Sequence, residues 1–259
     1  MPDLPPTLRV EREGAVAVLT LARAEKRNAL DDETVLGIER FFADLDDDVR
    51  AVVLDADGDH FCAGLDLAEM RERDTLSGVG HSRMWHRVFD RIEHGRVPVI
   101  AVLKGAVVGG GLELAATAHI RVAEESTFYA LPEGLRGLFV GGGASVRVPR
   151  LIGVARMTDM MLTGRRYDAA AGATVGLSQY VVPNGEGRTT ALELAARVAE
   201  LAPQTTYAVL QVLPRIAAAG ESEGYLMESL MAAIAQGTDD AKDRMRDFLD
   251  GRARKVTDR

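Results

Sequence analysis

Residues 98–120 read PVIAVLKGAVVGGGLELAATAHI, and the fold prediction starts from this stretch. Val97–Leu103 is an unbroken apolar run, which is typical of a strand covered on both faces. Lys104–Gly111 is a glycine-rich turn, and Leu112–Ala118 has the pattern of a helix. Glycines let a backbone approach a ligand closely, and a helix beginning beside them directs its free N–H groups at the same place. The stretch therefore predicts a strand–turn–helix unit suited to holding an oxyanion or a phosphate.

Two common glycine motifs are excluded for this turn. No Gly-Lys-Ser/Thr follows it, as a P-loop would require, and the glycines do not have the GxGxxG spacing of a dinucleotide-binding turn. Glycine-rich turns between a strand and a helix also serve tight packing alone. The turn by itself therefore leaves a binding role and a packing role open.

Strand and helix patterns alternate as far as Val182, which indicates an α/β architecture. The periodicity of residues 71–91 is weak around Gly78 and Gly80, so we expect a pair of helices there with a mobile connection. The other predicted strands are Ala15–Leu21, Ala51–Leu54, Ile120–Ala123 and Thr127–Leu131.

After Pro183 the chain is almost entirely helical in pattern. Pro214 is expected to kink one of these helices, because proline lacks an N–H and its ring clashes with the preceding turn. Thr238 is a candidate N-cap for the last helix. We therefore predict an α/β core over residues 1–188 and a helical C-terminal region over residues 189–259.

Composition excludes several classes of protein. The 259 residues are 47% hydrophobic and 27% charged, which is ordinary globular composition, and the net charge of −8 argues against general nucleic-acid binding. No apolar run approaches the roughly 20 residues needed to cross a bilayer, and the polar beginning of the chain is not a secretory signal. Cys62 is the single cysteine, so no intramolecular disulfide forms. A cytoplasmic protein without membrane contact is expected.

Two glutamates lie beside the glycine turns. Glu113 falls in the first turn of the helix after Gly109–Gly111, and Glu133 follows a predicted strand and precedes a second cluster, Gly141–Gly143. Two carboxylates so placed could bracket a substrate. Each also has a simpler explanation, since Glu113 could merely complement the helix dipole and Glu133 could be a solvated loop residue.

Together these segments resemble the enoyl-CoA hydratase/isomerase (crotonase) family over nearly the whole chain. The run Val97–Ala115 combined with the FCAGLDL block is highly specific for that family. The matching segments are EKRNAL (Glu25–Leu30), VRAVVLDADGDHFCAGLDL (Val49–Leu67), PVIAVLKGAVVGGGLELA (Pro98–Ala115), PEGLRGLFVGGGAS (Pro132–Ser145) and Leu151–Pro183.

The resemblance implies a fold and an assembly. The fold is a spiral of ββα units followed by helices that build a trimer, often as half of a hexamer. It also implies an acyl-CoA substrate, with coenzyme A as part of the substrate and no separate cofactor. The sequence contains neither an HExxH nor a CxxC spacing, so it does not predict a metal site.

The resemblance also implies residue roles. The backbone N–H groups of Leu65 and Gly110 would form an oxyanion hole for the thioester carbonyl and should point into one cavity. Glu113 would act as base towards water, and Glu133 would deliver a proton to the substrate. Coenzyme A would be contacted by Ala63 and the backbone of Asp66 and Leu67, with Ala29 on the opposite loop. Lys26 or Arg27 would meet its phosphates.

Three positions depart from the family pattern. Val140 stands where a proline is frequent, His119 stands where aspartate is frequent, and Gly141 stands where the dienoyl isomerases have an aspartate. His119 is interpreted as structural, and Gly141 argues against a dienoyl isomerase. No acid–base partner supports Ser126 as the nucleophile of a hydrolase.

The function expected is that of an acyl-CoA lyase that adds water, in a syn sense, to a trans-2-enoyl-CoA. Two alternatives remain open on the same scaffold. One is an enoyl-CoA double-bond isomerase that uses one glutamate as a proton shuttle. The other is a non-catalytic acyl-CoA binding protein.

Overall fold

The computed structural model of this chain describes residues 3–66 and 74–252. They fall into two compact units, one reaching to Ala199 and one starting at Glu200. The first unit is α/β and the second is helical. No helix in these ranges is long and apolar enough to cross a membrane.

The main sheet of the first unit is mostly parallel. Only its edge pair runs antiparallel, and the central strands are buried along their whole length, as the apolar run at 97–103 predicts. In the described residues six strands pair in the following spatial order: β1 (Leu8–Glu13), β2 (Val16–Leu21), β3 (Ala51–Ala56), β4 (Val99–Leu103), β6 (Ile120–Glu124) and β9 (Tyr180–Val182).

Helices cover both faces of this sheet. The helices of this unit are α1 (Asp32–Ala43), α2 (Thr75–Glu93), α3 (Gly110–Ala115), α4 (Ala144–Ile152), α5 (Val154–Thr163), α6 (Ala169–Val175) and α7 (Gly187–Ala199). On one face, α1 and α2 contribute large buried side chains, including Phe41, Trp85 and Phe89, to the main core. On the other face, Ala191 and Ala195 of α7 pack against the valines of β2 and β3.

Helix α7 belongs to the first unit and not to the helical second unit. From the sequence, the helix that starts near residue 189 is expected to belong to the C-terminal region. In the structure this helix packs on the sheet, and the chain divides after it, between Ala199 and Glu200. Its buried side chains are small alanines, so its contact with the sheet leaves little signal in the sequence.

The second unit contains the remaining helices. A π-helical segment, Ala208–Val212, ends two residues before Pro214, because the proline has no N–H to donate and displaces the turn before it. Thr238 caps the last helix, as predicted, by accepting a hydrogen bond from the Ala241 N–H at 3.2 Å. The helices are α8 (Pro203–Tyr207), α9 (Leu213–Ala218), α10 (Glu221–Gly237) and α11 (Asp239–Leu249).

The prediction of a helix pair over residues 71–91 is wrong where the structure describes it. Thr75–Glu93 is one continuous helix, and Asp74 caps it by accepting from the Ser77 N–H at 2.8 Å. Each glycine costs such a helix only about 1 kcal/mol relative to alanine. The burial of Trp85 and Phe89 further along the helix outweighs that cost.

A second, smaller sheet brings the glycine turn next to the segment after β3. Its strands are β5 (Ala106–Val108), β7 (Phe128–Ala130) and β8 (Tyr167–Asp168), so the predicted turn at 104–111 contains a short strand. Cys62 pairs with β5, donating to the Ala106 carbonyl at 2.9 Å and accepting from the Val108 N–H at 3.1 Å. The backbone of residues 62–65 therefore runs alongside the start of α3.

Gly111 shows how close this approach is. A Cβ at this position would lie 2.3 Å from the Cys62 carbonyl oxygen, well inside van der Waals contact. Only glycine lets α3 begin at this distance from the neighbouring backbone.

We therefore expect Gly111→Ala to lower the free energy of unfolding by on the order of 3 kcal/mol, because backbone must move to admit the methyl group. Gly80→Ala, in the exposed first turns of α2 with nothing within 4 Å, is the control and should stabilise slightly. Chemical denaturation measures both. Equal stabilities for the two variants would contradict this account of the glycine turn.

Candidate active site

A cavity of about 640 Å³ lies in the first unit. Four stretches of chain line it: residues 63–65, one side of α2, the glycine turn with α3, and the loop after β7. It is lined by Leu65, Gly110, Glu113 and Glu133, so the two residues predicted for the oxyanion hole and the two predicted catalytic glutamates lie on one cavity.

The amide groups of Leu65 and Gly110 are neighbours in this cavity. A Cβ built on Gly110 would lie 3.4 Å from the Leu65 nitrogen, and one built on Gly64 would lie 3.4 Å from the Gly110 nitrogen. The bridge to Leu30 uses the Gly64 carbonyl and the Asp66 N–H, so the Leu65 N–H points away from it. Within the described residues neither amide has a hydrogen-bond acceptor. The pair can therefore donate to one oxygen atom of a ligand.

Glu113 is held by backbone amides. Its carboxylate is buried, and Oε1 accepts hydrogen bonds from the N–H groups of Gly142 at 2.7 Å and Ala144 at 3.0 Å. Burial raises the pKa of Glu113, and these amides oppose that rise because they stabilise the charged form. These amides bind the carboxylate in addition to any effect of the dipole of α3, in whose first turn Glu113 lies.

Glu133 has a different environment. Its Oε2 is buried without a hydrogen-bond partner in the described residues, and its Oε1 lies 2.5 Å from the place a Cβ on Gly109 would take. Gly109 also has φ of +54°, which a side chain rarely permits. Burial, aided by the charge of Glu113, raises the pKa of Glu133 to about 6.

The two carboxyls are thus chemically distinct. Burial raises the pKa of both, but Glu113 has amide donors that favour the carboxylate, whereas Glu133 Oε2 has no donor in the described residues. Two titratable groups whose environments differ in this way can serve as a base and an acid in one site. The simpler interpretation of Glu133 as a solvated loop residue does not fit its buried oxygen.

The residues predicted to bind coenzyme A do not all line the cavity, unlike those predicted for catalysis and the oxyanion hole. Ala63 lines the cavity, whereas Lys26 is exposed on the neighbouring loop next to Ala29. The Asp66 carboxylate is paired with Arg23 at 2.7 Å, and the Asp66 N–H donates to the Leu30 carbonyl at 2.8 Å. Leu67 lies outside the described residues.

Several residues of the site were not found from the sequence. His81, Ser82 and Trp85 of α2 line the cavity, and the misjudged periodicity of residues 71–91 hid them. Asn28 was also missed: its amide donates to the carbonyls of Asp57 and His60 at 2.9 and 2.8 Å and fixes the loop beside Ala63.

His119 is structural, as interpreted from the sequence. Its Nδ1 accepts from the Val99 N–H at 3.0 Å, and its Nε2 therefore donates to the Glu93 carbonyl at 3.1 Å. Both ring nitrogens are occupied by backbone, and the residue does not line the cavity.

Comparison with known proteins agrees with this geometry. Residues 11–259 match the family described as enoyl-CoA hydratase/isomerase. The chain belongs to this family. The α/β crotonase fold with a helical C-terminal region, predicted from the sequence, is confirmed.

Individual relatives cover nearly the whole chain. The enoyl-CoA hydratase EchA19 of Mycobacterium tuberculosis is 32% identical, covering 96% of this chain and 95% of the relative. The short-chain-enoyl-CoA hydratase of Clostridium acetobutylicum is 31% identical, with 94% of each chain covered. A crystal structure from Rhodopseudomonas palustris, provisionally assigned as an enoyl-CoA hydratase, is 59% identical over 97% of this chain and 98% of its own, with a TM-score of 0.94.

The raised pKa of Glu133 predicts a pH-dependent cost in stability. Because its pKa rises from 4.5 to about 6 on folding, the folded state is favoured below pH 4.5 and loses that advantage as pH rises through 6. Glu133→Gln should therefore raise the free energy of unfolding above pH 6, by up to about 2 kcal/mol, and not at pH 4.

Denaturant unfolding at pH 4 and pH 8 measures this difference. Glu125→Gln, at an exposed site, is the control. A stability gain from Glu133→Gln of the same size at both pH values would contradict the assignment of a buried ionising group.

Proposed function

We propose that this chain is an enoyl-CoA hydratase, a lyase that adds water to a trans-2-enoyl-CoA and forms the 3-hydroxyacyl-CoA. One observation carries the proposal: two carboxyls in contrasting environments line the same cavity as two neighbouring backbone amides that have no acceptor among residues 3–66 and 74–252. The names of the relatives support the same reaction.

The amides of Leu65 and Gly110 would receive the thioester oxygen. When the water oxygen bonds to Cβ, the electron pair of the double bond shifts towards the thioester oxygen. The resulting enolate carries negative charge on that oxygen. Fixed donors aimed at an oxygen that becomes charged often stabilise the transition state more than any other group, because they need no reorganisation during the reaction. Backbone donors also carry no pKa and stay constant with pH.

The two glutamates would handle the protons. Glu113, as carboxylate, takes a proton from water while the water oxygen bonds to Cβ. The electron pair of the double bond becomes the enolate, and Glu133, as the protonated acid, gives its proton to Cα. One water is added overall, and transfer of the proton from Glu113 to Glu133 restores the starting state.

The remaining parts of the proposal concern the coenzyme. Ala63 and the backbone of Asp66 and Leu67 would contact its adenine and pantetheine portions, with Ala29 opposite and Lys26 near a phosphate. The reaction as proposed is redox-neutral and uses no separate cofactor or metal, since coenzyme A enters as part of the substrate. A cytoplasmic location is part of the proposal, supported by the single, buried Cys62.

Glu113→Gln and Glu133→Gln should each lower turnover of crotonyl-CoA by roughly 10²- to 10⁴-fold, because glutamine keeps the size of the side chain and cannot transfer a proton. The affinity for the CoA thioester should change little. Loss of the enoyl-thioester absorbance measures turnover, and Glu125→Gln is the control. The two losses should not add, because both groups act in one transition state.

The same experiment separates the alternatives. Loss of activity in only one of the two variants would favour the double-bond isomerase. Inactive wild-type protein that still binds a broad panel of enoyl-CoA thioesters would overturn the hydratase proposal in favour of a binding protein.

We also propose that the chain assembles as a trimer or hexamer. The second unit exposes large apolar side chains that usually mark an interface, namely Tyr225, Leu226, Leu230 and Ile234 of α10 and Met245, Phe248 and Leu249 of α11. Closed symmetry is the usual way to cover such a surface.

Light scattering at micromolar concentration should give three or six times the chain mass of 27.9 kDa. Leu230→Glu should weaken the assembly, because it places a charge in the apolar surface, and Glu228→Gln in the same helix is the control. A monomeric wild-type protein would contradict the proposal.

A further inference from the structure

The loop that binds Glu113 is itself held from behind. The peptide group between Gly141 and Gly142 donates its N–H to Glu113 Oε1 at 2.7 Å, and its carbonyl accepts from the Ser82 hydroxyl at 2.6 Å. One peptide group therefore connects a serine of α2 with the buried carboxylate. Ser82 was not recognised from the sequence.

The next peptide group, between Gly142 and Gly143, is held in the same way. Its carbonyl accepts from Arg147 Nη1 at 3.1 Å, and the Arg147 Nε pairs with Glu93 at the end of α2 at 2.5 Å. Arg147 is buried, and a Cβ at Gly143 would lie 2.1 Å from its Nη1. The guanidinium therefore fills the space directly behind the loop.

Both contacts pull peptide carbonyls away from Glu113 and turn the amide sides of the loop towards it. The Ala144 N–H completes the arrangement at 3.0 Å. Successive backbone amides that converge on one anion form a concave anion-binding nest. Donors to the carbonyl oxygens also polarise the peptide groups, which strengthens their N–H bonds to the carboxylate.

We infer that Ser82 and Arg147 are positioning residues for Glu113, orienting its carboxyl and favouring its charged form through the two peptide groups at Gly141–Gly143. This inference rests on the proposed role of Glu113 as base. Neither residue needs to touch the substrate for this function, although Ser82 also lines the cavity.

Other charged groups face Glu113 or the loop and must be controlled. Glu133 and Arg136 line the same cavity, His81 lines it from α2, and His86 lies 3.8 Å from the place a Cβ on Gly143 would take. Glu93 offsets the charge of Arg147. Ser82→Ala changes none of these charges, but it removes the 3.4 Å contact of the Ser82 hydroxyl with His86 Nε2 together with its hydrogen bond to the Gly141 carbonyl. His86→Gln is therefore measured beside it as a control.

The test measures the Glu113 pKa directly, by carbon-13 NMR of the glutamate carboxyls in the full chain, with Glu113→Gln to assign the signal. Ser82→Ala should raise this pKa by about half a unit to one unit, the size expected for one lost hydrogen bond. The acidic limb of kcat/KM for crotonyl-CoA should move upward with it. Ser82→Thr, which retains the hydroxyl, should restore both, and Arg147→Gln should raise the pKa further than Arg147→Lys.

Matched controls are available elsewhere in the chain. The Ser229 hydroxyl bonds the Tyr225 carbonyl at 2.7 Å, and Arg156 bonds the Ile152 carbonyl at 2.8 Å, both outside the cavity. Ser229→Ala and Arg156→Gln should leave the Glu113 pKa unchanged.

An unchanged Glu113 pKa in folded Ser82→Ala would overturn the inference, whatever its effect on thermal stability. Because the NMR measurement needs no turnover, it remains decisive if the protein does not hydrate crotonyl-CoA. Absence of turnover in wild type together with the expected pKa shift would reject the proposed function and leave the positioning role supported.

Discussion

Helix α3 begins in direct contact with the backbone of residues 62–65, and the arrangement of the site depends on this approach. The Cys62 carbonyl occupies the space where Gly111 would carry a side chain. Because the two backbones lie so close, the amides of Leu65 and Gly110 become neighbours, and Glu113 one turn later faces the same cavity. The buried strands on either side hold these segments in register.

The cavity gives two chemically identical side chains, Glu113 and Glu133, different surroundings. Two backbone N–H groups donate to Glu113, and these hydrogen bonds stabilise its charged form. Glu133 has a buried oxygen with no donor in the described residues, and its pKa rises to about 6. Neither difference comes from the glutamate itself. Both come from the surroundings: the amides of the glycine loop at 141–143 and of Ala144 reach Glu113, whereas the only backbone that acts on the Glu133 carboxyl, in the part of the chain that the structure describes, is that of Glu133 itself.

Much of the fold and of the candidate site could be predicted from local sequence, and the features that could not be predicted have physical causes. The unbroken apolar run at 97–103 predicted a buried strand because strands covered on both faces need no polar residues. The roles of Ser82, Arg147 and Asn28 could not be predicted, since each bonds backbone carbonyls whose positions only the folded chain determines. The glycines of α2 led to the wrong prediction of two helices, because packing further along the helix outweighs their low helix propensity.

A crystal structure of the complex with a CoA thioester that cannot be hydrated, such as acetoacetyl-CoA, tests the central claim most directly. The account predicts that the thioester oxygen lies roughly 2.7–3.1 Å from the nitrogens of both Leu65 and Gly110. It also predicts that Glu113 and Glu133 both face the carbons next to that carbonyl. A thioester oxygen bonded to neither amide, or an acyl chain outside this cavity, would contradict it.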